Sequence, residues 1–225
     1  MKIGVLITGD PPDMMTEGGT YDRYFERLLD GHGFAVQGWR VLENQFPASV
    51  TDADGWLITG SKFGAYEPHD WIPPLEDFIR ASYAAAVPMI GVCFGHQIIA
   101  QALGGRVEKY EHGWSVGLTQ YQMNGRSYGI NAWHQDQVVE KPRDAEVIAH
   151  TDFCAYAGLV YGDNIWTIQP HPEYDSSFVS GLIEHRGQGV VPDALLTEAT
   201  AKLDAPNDRM DVARIMADFF RKERA

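Results

Sequence analysis

The sequence predicts an α/β fold: a mostly parallel central sheet flanked by helices, with a smaller mixed or antiparallel strand region. Three observations carry that expectation. Short β-rich runs alternate with helical patterns up to about Gly105, the arrangement that crossover helices give a parallel sheet. From Arg106 to Ile168 short strand-like runs follow one another with turns and little helix. The last third returns to helix.

Taken in order, KIGVLIT (Lys2 to Thr8) reads as the first strand. In TYDRYFERLLDGHG, Tyr21, Tyr24, Phe25, Leu28 and Leu29 recur at helical spacing, and Gly31 and Gly33 end the run. FAVQGWRV (Phe34 to Val41) and GWLITGS (from Gly55) are strands separated by a turn at Asp52 to Gly55. DWIPPLEDFIRASYAAA is a helix with Asp70 as its cap and both prolines in the first turn, where a missing N–H does no harm. VPMIGV is a strand leading to Cys93, and GHQIIAQAL a helix stopped by Gly104 and Gly105. Strands follow in GWSVGLTQYQM, RSYGINAW, EVIAH, FCAYAGLVYG and NIWTIQP, with Cys154 in an apolar strand pattern and structural in role. GQGVVPDALLTEATAKLDAPND is a loop or short helix. DRMDVARIMADFFRKERA closes the chain as an amphipathic helix.

Composition narrows the function classes. At 225 residues the chain can bury a full core as one domain, residues 1–225. A net charge of −13 opposes a polynucleotide partner, since that affinity rests on Lys and Arg replacing counterions. No apolar stretch is long enough to span a bilayer, and the opening MKIGVLITGD lacks the features of a signal peptide. With two cysteines there is no disulfide framework, so a cytoplasmic location is expected.

The chemistry centres on IGVCFGHQ. A nucleophile on a sharp strand-to-helix turn needs small residues two places before and after it, and Gly91 and Gly95 meet that need around Cys93. The turn aims the thiol at a helix N-terminus, whose free N–H groups and dipole favour thiolate. The Phe94 N–H would then face an oxyanion formed on the attacked carbonyl. A base is supplied by TIQPHPEY, where two prolines clamp the backbone around His171 and Glu173 stands two residues on, close enough to orient the imidazole. Taken alone, a cysteine between glycines or a His-Pro-Glu is commonly structural. Together they complete a Cys-His-carboxylate triad.

GVCFGHQ and QPHPE resemble the nucleophile and base motifs of the class I, triad-type glutamine amidotransferases, and the similarity runs from about Lys2 to Ser180. The resemblance implies a flavodoxin-like fold and a γ-glutamyl thioester formed on Cys93 and hydrolysed by water, with His171 moving protons and Glu173 orienting it. It also implies that Gln97 helps to seat the substrate and that the loop Ile58 to Ser61 supplies the second oxyanion donor at Gly60, with Ser61 beside it. Many family members carry Gly-Gly-Pro or a similar sequence there, whereas this chain has Thr59-Gly60-Ser61. NAWHQDQV matches the stretch that recognises the α-amino and α-carboxylate groups, which implicates Trp133, His134, Gln135 and Asp136.

Other site chemistries fit less well. His96, His112, His134, Asp136, His171 and Glu173 are metal-ligand types, but no histidine pair has the helical spacing of zinc proteases, and no metal or other cofactor is expected. The glycine pairs lack the lysine context of a phosphate loop. Trp114 and Trp133 are candidates for a pocket wall. The leading expectation is a glutamine amidotransferase or glutaminase-type hydrolase that releases ammonia from glutamine, with either a separate synthetase subunit as acceptor or no partner. ITGSKFGAYEPHDWI and GVCFGHQII resemble most the stand-alone branch of γ-glutamyl peptidases, which act on glutathione-like conjugates, so γ-glutamyl hydrolysis is the close alternative. A binding module without turnover is the third.

Overall fold

The computed structural model describes residues 1–224, leaving aside the side chains of residues 14, 16 and 17. Five strands form the parallel half of a nine-stranded sheet: β1 (Lys2–Leu6), β2 (Ala35–Trp39), β3 (Gly55–Ile58), β4 (Met89–Val92) and β11 (Ile165–Ile168), in the order β2-β1-β3-β4-β11. Every residue of β3, β4 and β11 is buried, as expected of parallel strands covered on both faces. The sheet continues antiparallel through β10 (Gly158–Tyr161), β9 (Glu146–His150), β6 (Ser115–Met123) and β7 (Arg126–His134). A separate ribbon pairs β5 (Arg106–Lys109) with β8 (Asp136–Glu140).

Alternation along the buried strands sends side chains to two cores. Ile3, Val5, Leu57, Ile90, Val92 and Ile168 pack with α1 (Tyr21–Leu28) and α6 (Arg209–Arg221), through Phe25, Leu28, Val212, Met216 and Phe220. Leu6, Trp56, Ile58, Met89 and Ile165 pack on the opposite face with α2 (Ile72–Ala84) and α3 (Phe94–Ala102). α3 is buried at almost every position, so its apolar residues are not confined to one stripe, and its buried His96 and Gln97 are hydrogen-bonded. A third cluster joins Tyr21 to Tyr174, Phe178, Val179 and Leu182, the last three on α4 (Ser176–Leu182).

Some expectations need correction. Asp70 does not cap α2: the cap position is Trp71, with no side-chain capping bond, and the Asp70 carboxylate accepts from Asn44 instead. The two prolines do lie in the first turn. Cys154 is buried in a loop before β10 rather than in a strand, and its N–H donates to Thr151 Oγ1. Of the two forms expected for the segment after Gly187, a loop or a short helix, the structure has the helix, α5 (Asp193–Ala201), whose Leu196 and Ala199 are buried. Its apolar face is too narrow to stand out from the small residues around it.

Candidate active site

Cys93 occupies the corner between β4 and α3, with φ 54° and ψ −106°, a conformation that side-chain-bearing residues rarely adopt. Its neighbours show how the strain is held. A Cβ on Gly91 would lie 2.5 Å from the Gly95 carbonyl oxygen, and one on Gly95 would run into the Ile58 carbonyl. The Cys93 N–H donates to Ile168 O (2.9 Å) and the Gly95 N–H to Thr59 O (3.1 Å), which pins the corner to both flanking strands. Phe94, the first residue of α3, has no intrahelical acceptor for its N–H. Its ring turns into the core against Trp71, at 5.5 Å between centroids, so its side chain belongs to the core.

His171 follows β11, the strand next to β4. It is 2% exposed and forms a 2.7 Å bond from Nδ1 to Glu173 Oε1, and it lies close enough to Cys93 for the sulfur's charge to act on it. Burial, the largest influence, pushes the imidazole down. The charges of Cys93 and Glu173 and the Glu173 hydrogen bond outweigh it and lift His171 from 6.5 to about 10. A protonated imidazole is therefore favoured between a sulfur and a carboxylate. The ring is further fixed by Tyr174, stacked on it at 3.9 Å with planes 4° apart, and Tyr174 stacks in turn on Phe178. Asn131 on β7 accepts from the His171 N–H (2.8 Å) and donates from Nδ2 to the Tyr174 carbonyl (3.0 Å). Asn131 thus ties down both His171 and Tyr174, a position that only its place at the start of NAWHQDQV hinted at.

Gly60 lies just beyond β3, beside both groups. A Cβ there would come within 2.9 Å of His171 Cε1 and 3.8 Å of Cys93 Cβ. The loop is set by a buried pair of threonines: Thr8 Oγ1 donates to the carbonyls of Thr59 (3.0 Å) and Gly60 (3.1 Å), and the Thr8 N–H donates to Thr59 Oγ1 (3.1 Å). Because a trans peptide directs its C=O and N–H to opposite sides, anchoring these carbonyls turns the Gly60 and Ser61 N–H groups away from Thr8. Nothing in the sequence pattern marks Thr8, since it reads as the last residue of a strand.

A cavity of about 420 Å³ opens over Cys93 and His171. Of the residues expected in the site, Ser61, Gln97, Trp133, His134, Gln135 and Asp136 line it, and Trp114 does too, while Glu173 stands behind His171. Gln97 Nε2 donates both to the Asp136 carbonyl (2.7 Å) and to Gln169 Oε1 (3.1 Å), tying α3 to the bend between β7 and β8. His134 bonds through Nδ1 to the same Asp136 carbonyl (3.1 Å), and burial with His171 nearby pushes it down to about 4, so it stands neutral. Asp136 is raised above the ordinary carboxylate value, chiefly by burial, against the opposing Tyr66 hydrogen bond and Lys109 charge. Tyr21, Lys62, Tyr66, Glu67, Lys109, Arg186 and Val190 also line the cavity and were not foreseen, because they come from helix and strand ends and from loops far apart in sequence. Of the other ligand-type residues, His96 is buried with Nδ1 bonded to Thr167, and His112 is exposed. Among the described residues no three such side chains converge as a metal-binding group.

The model of the class-I glutamine amidotransferase family matches residues 24–180. The chain belongs to that family. Gamma-glutamyl peptidase 4 of Arabidopsis thaliana is 30% identical over 195 residues, which cover 80% of this chain and 78% of that protein. The glutamine-hydrolysing GMP synthase of Bacteroides fragilis is 32% identical over 144 residues, 59% of this chain but 27% of that longer protein. Among solved structures, a glutamine amidotransferase from Methylobacillus flagellatus superposes with a TM-score of 0.77 at 21% identity, covering 97% of this chain and 91% of that one. This class-I amidotransferase chain is thus an enzyme of the hydrolase or amidotransferase kind, with the α/β fold of its structural neighbours. No helix among its described residues is long and apolar enough to cross a membrane.

Proposed function

We propose that the chain hydrolyses γ-glutamyl amides through a thioester on Cys93. The sulfur attacks the γ-carbonyl carbon, and the resulting oxyanion is met by the Phe94 N–H and by the loop at Gly60 and Ser61. As the C–N bond breaks, His171 gives its proton to the departing nitrogen, leaving a γ-glutamyl thioester. Water then loses a proton to His171 and attacks the thioester carbon, which frees glutamate and restores the thiolate and imidazolium. Glu173 keeps the imidazole oriented and favours its charged form throughout. The observation that carries this proposal is the buried His171, held between Cys93 and the 2.7 Å bond to Glu173. Gln97, Trp133, His134, Gln135 and Asp136 form the substrate wall.

Between the two substrate classes, γ-glutamyl peptides are favoured over glutamine. The peptidase relative aligns over most of both chains, whereas the GMP synthase relative aligns over a minor part of its length. The cavity is also lined by Trp114 and Leu182, outside that substrate wall, surfaces that a departing ammonia would leave unused. The second reading, a glutaminase that feeds ammonia to a separate synthetase subunit, draws on the GMP synthase match. We take residues 1–225 as one domain working in the cytoplasm, where reducing conditions keep Cys93 and Cys154 free.

The test is turnover of glutamine and of a γ-glutamyl dipeptide by the purified chain and by Cys93→Ala, following ammonia, glutamate and the free amine. The wild type should prefer the dipeptide without a partner, and Cys93→Ala should lower kcat by about four orders of magnitude or more. Glutamine preference would support the amidotransferase reading. Turnover retained by Cys93→Ala would reject the mechanism, and no turnover of either substrate would favour a binding module.

A further inference from the structure

Asp136, Lys109, Tyr66 and Glu67 share the cavity wall, and the charges of Lys109 and Glu67 both act on Asp136. An anion and a cation together suit the head of a glutamyl group, which carries one ammonium and one carboxylate. A substrate whose head lies there directs its departing amine away from Asp136.

Arg186 stands elsewhere on the wall, in the π-helical turn Ile183–Gly187 that continues α4. It donates from Nη2 to the Asp10 carbonyl at 3.2 Å, and its charge acts on the Tyr21 hydroxyl. That hydroxyl is 3.2 Å from the hydroxyl of Tyr174, whose ring lies on His171. The Arg186 charge therefore acts on the outer member of a tyrosine pair whose inner member lies on the His171 ring. Leu182 and Val190, apolar residues from the same stretch of chain, also line the cavity.

A guanidinium has five N–H donors in a planar fork. Among the described residues Arg186 spends one group on a neutral carbonyl and has no carboxylate partner, although the chain carries 31 acidic residues against 18 basic ones. Arg40, Arg80, Arg106 and Arg126 each hold two carboxylates; Arg27, Arg143, Arg209 and Arg224 form no ion pair among the described residues, but of the arginines without one only Arg186 lines the cavity. An arginine facing a half-enclosed cavity with donors to spare is matched by an anion brought in with the ligand. Ammonia or a simple amine brings none.

For the hydrolysis proposed above, we infer that Arg186 determines specificity by binding a carboxylate on the departing amine, so that the preferred substrate is a γ-glutamyl amino acid or peptide with a free C-terminus. The carboxylate accepts from the guanidinium fork, and an apolar side chain on the departing residue rests against Leu182 and Val190.

The test compares γ-glutamyl-leucine with γ-glutamyl-leucinamide, which differ only in that carboxylate, on the wild type, Arg186→Gln and Arg186→Lys. The wild type should favour the acid by about tenfold or more in kcat/KM, as expected of a charge-assisted pair. Arg186→Gln should bring the ratio near one, and Arg186→Lys should restore part of it. Equal losses on both substrates in Arg186→Gln would mean that Arg186 holds the glutamyl head or only the Asp10 loop, and would overturn the inference. So would a wild type that does not discriminate. If the chain turns over neither compound, the hydrolase function fails, and calorimetric binding decides the role of Arg186 separately. Cys93→Ala should then bind the acid more tightly than the amide, and Arg186→Gln added to it should remove the difference. Equal binding of the two, or binding of neither, would also overturn it.

Discussion

At the level of single residues, His171 shows two large effects in opposition. Burial disfavours its charge, yet the sulfur and the carboxylate on either side reverse the outcome and raise it to about 10. Because Cys93 contributes a charge, removing the thiol should let the imidazole fall. An NMR titration of His171 in Cys93→Ala should give a pKa below that of the wild type; an unchanged or higher value would mean that Glu173 alone sets it. The stability consequence has a definite sign. A folded-state pKa above the unfolded 6.5 stabilises the fold fully below pH 6.5, and the contribution is lost as pH rises towards 10. The difference in unfolding free energy between the wild type and His171→Gln should therefore shrink across that window. A gap that widened with pH would contradict the ion pair.

At the level of elements, the strand-to-helix corner holds most of what could be read in advance. Gly91 and Gly95 announce it because a tight turn excludes side chains at those places, and the close approaches of Gly95 to Ile58 and of Gly91 to Gly95 are the physical content of that rule. Gly95→Ala should push α3 from β3 and, through the Gly95 N–H to Thr59 O bond, shift the Gly60 loop as well. We expect a loss of about 1–3 kcal/mol in unfolding free energy together with a lower kcat. An Ala variant with unchanged stability and turnover would show that the corner has slack. His171 and Glu173 were equally legible, because prolines and a two-residue spacing act locally. Thr8, Asn131 and Arg186 were not, since each gains its part from a partner far away in sequence, and Tyr174, though only three residues from His171, was not because a ring so placed stacks on it only in this backbone conformation. Asp70 failed as a cap for a related reason: the chain enters α2 through a turn in which the Ile72 N–H already donates to the His69 carbonyl, and Asn44 takes the carboxylate.

At the level of the whole molecule, the site follows from strand order. β3, β4 and β11 are neighbours in parallel register, with Ile58 opposite Gly91 and Val92 opposite Ile168, so the residues just beyond their carboxyl ends emerge side by side. Gly60, Cys93 and His171 are those residues, and the crevice outside the carboxyl ends of a parallel sheet is where open α/β folds bind ligands. The antiparallel half then wraps round, with Asn131 on β7 and the bend at Gln135 closing the other side. A site drawn from three central strands cannot form without the sheet. Loss of activity and loss of far-UV circular dichroism should therefore coincide along a urea titration, and Phe220→Ala, which removes a buried ring packed against Gly55 of β3, should shift both midpoints down together at a cost of about 3–5 kcal/mol. Activity lost at clearly lower urea than the circular dichroism signal would mean that the wall built by β6 to β8 opens on its own. Cys93 and His171 would then remain paired on the parallel strands while the surface that holds substrate is gone.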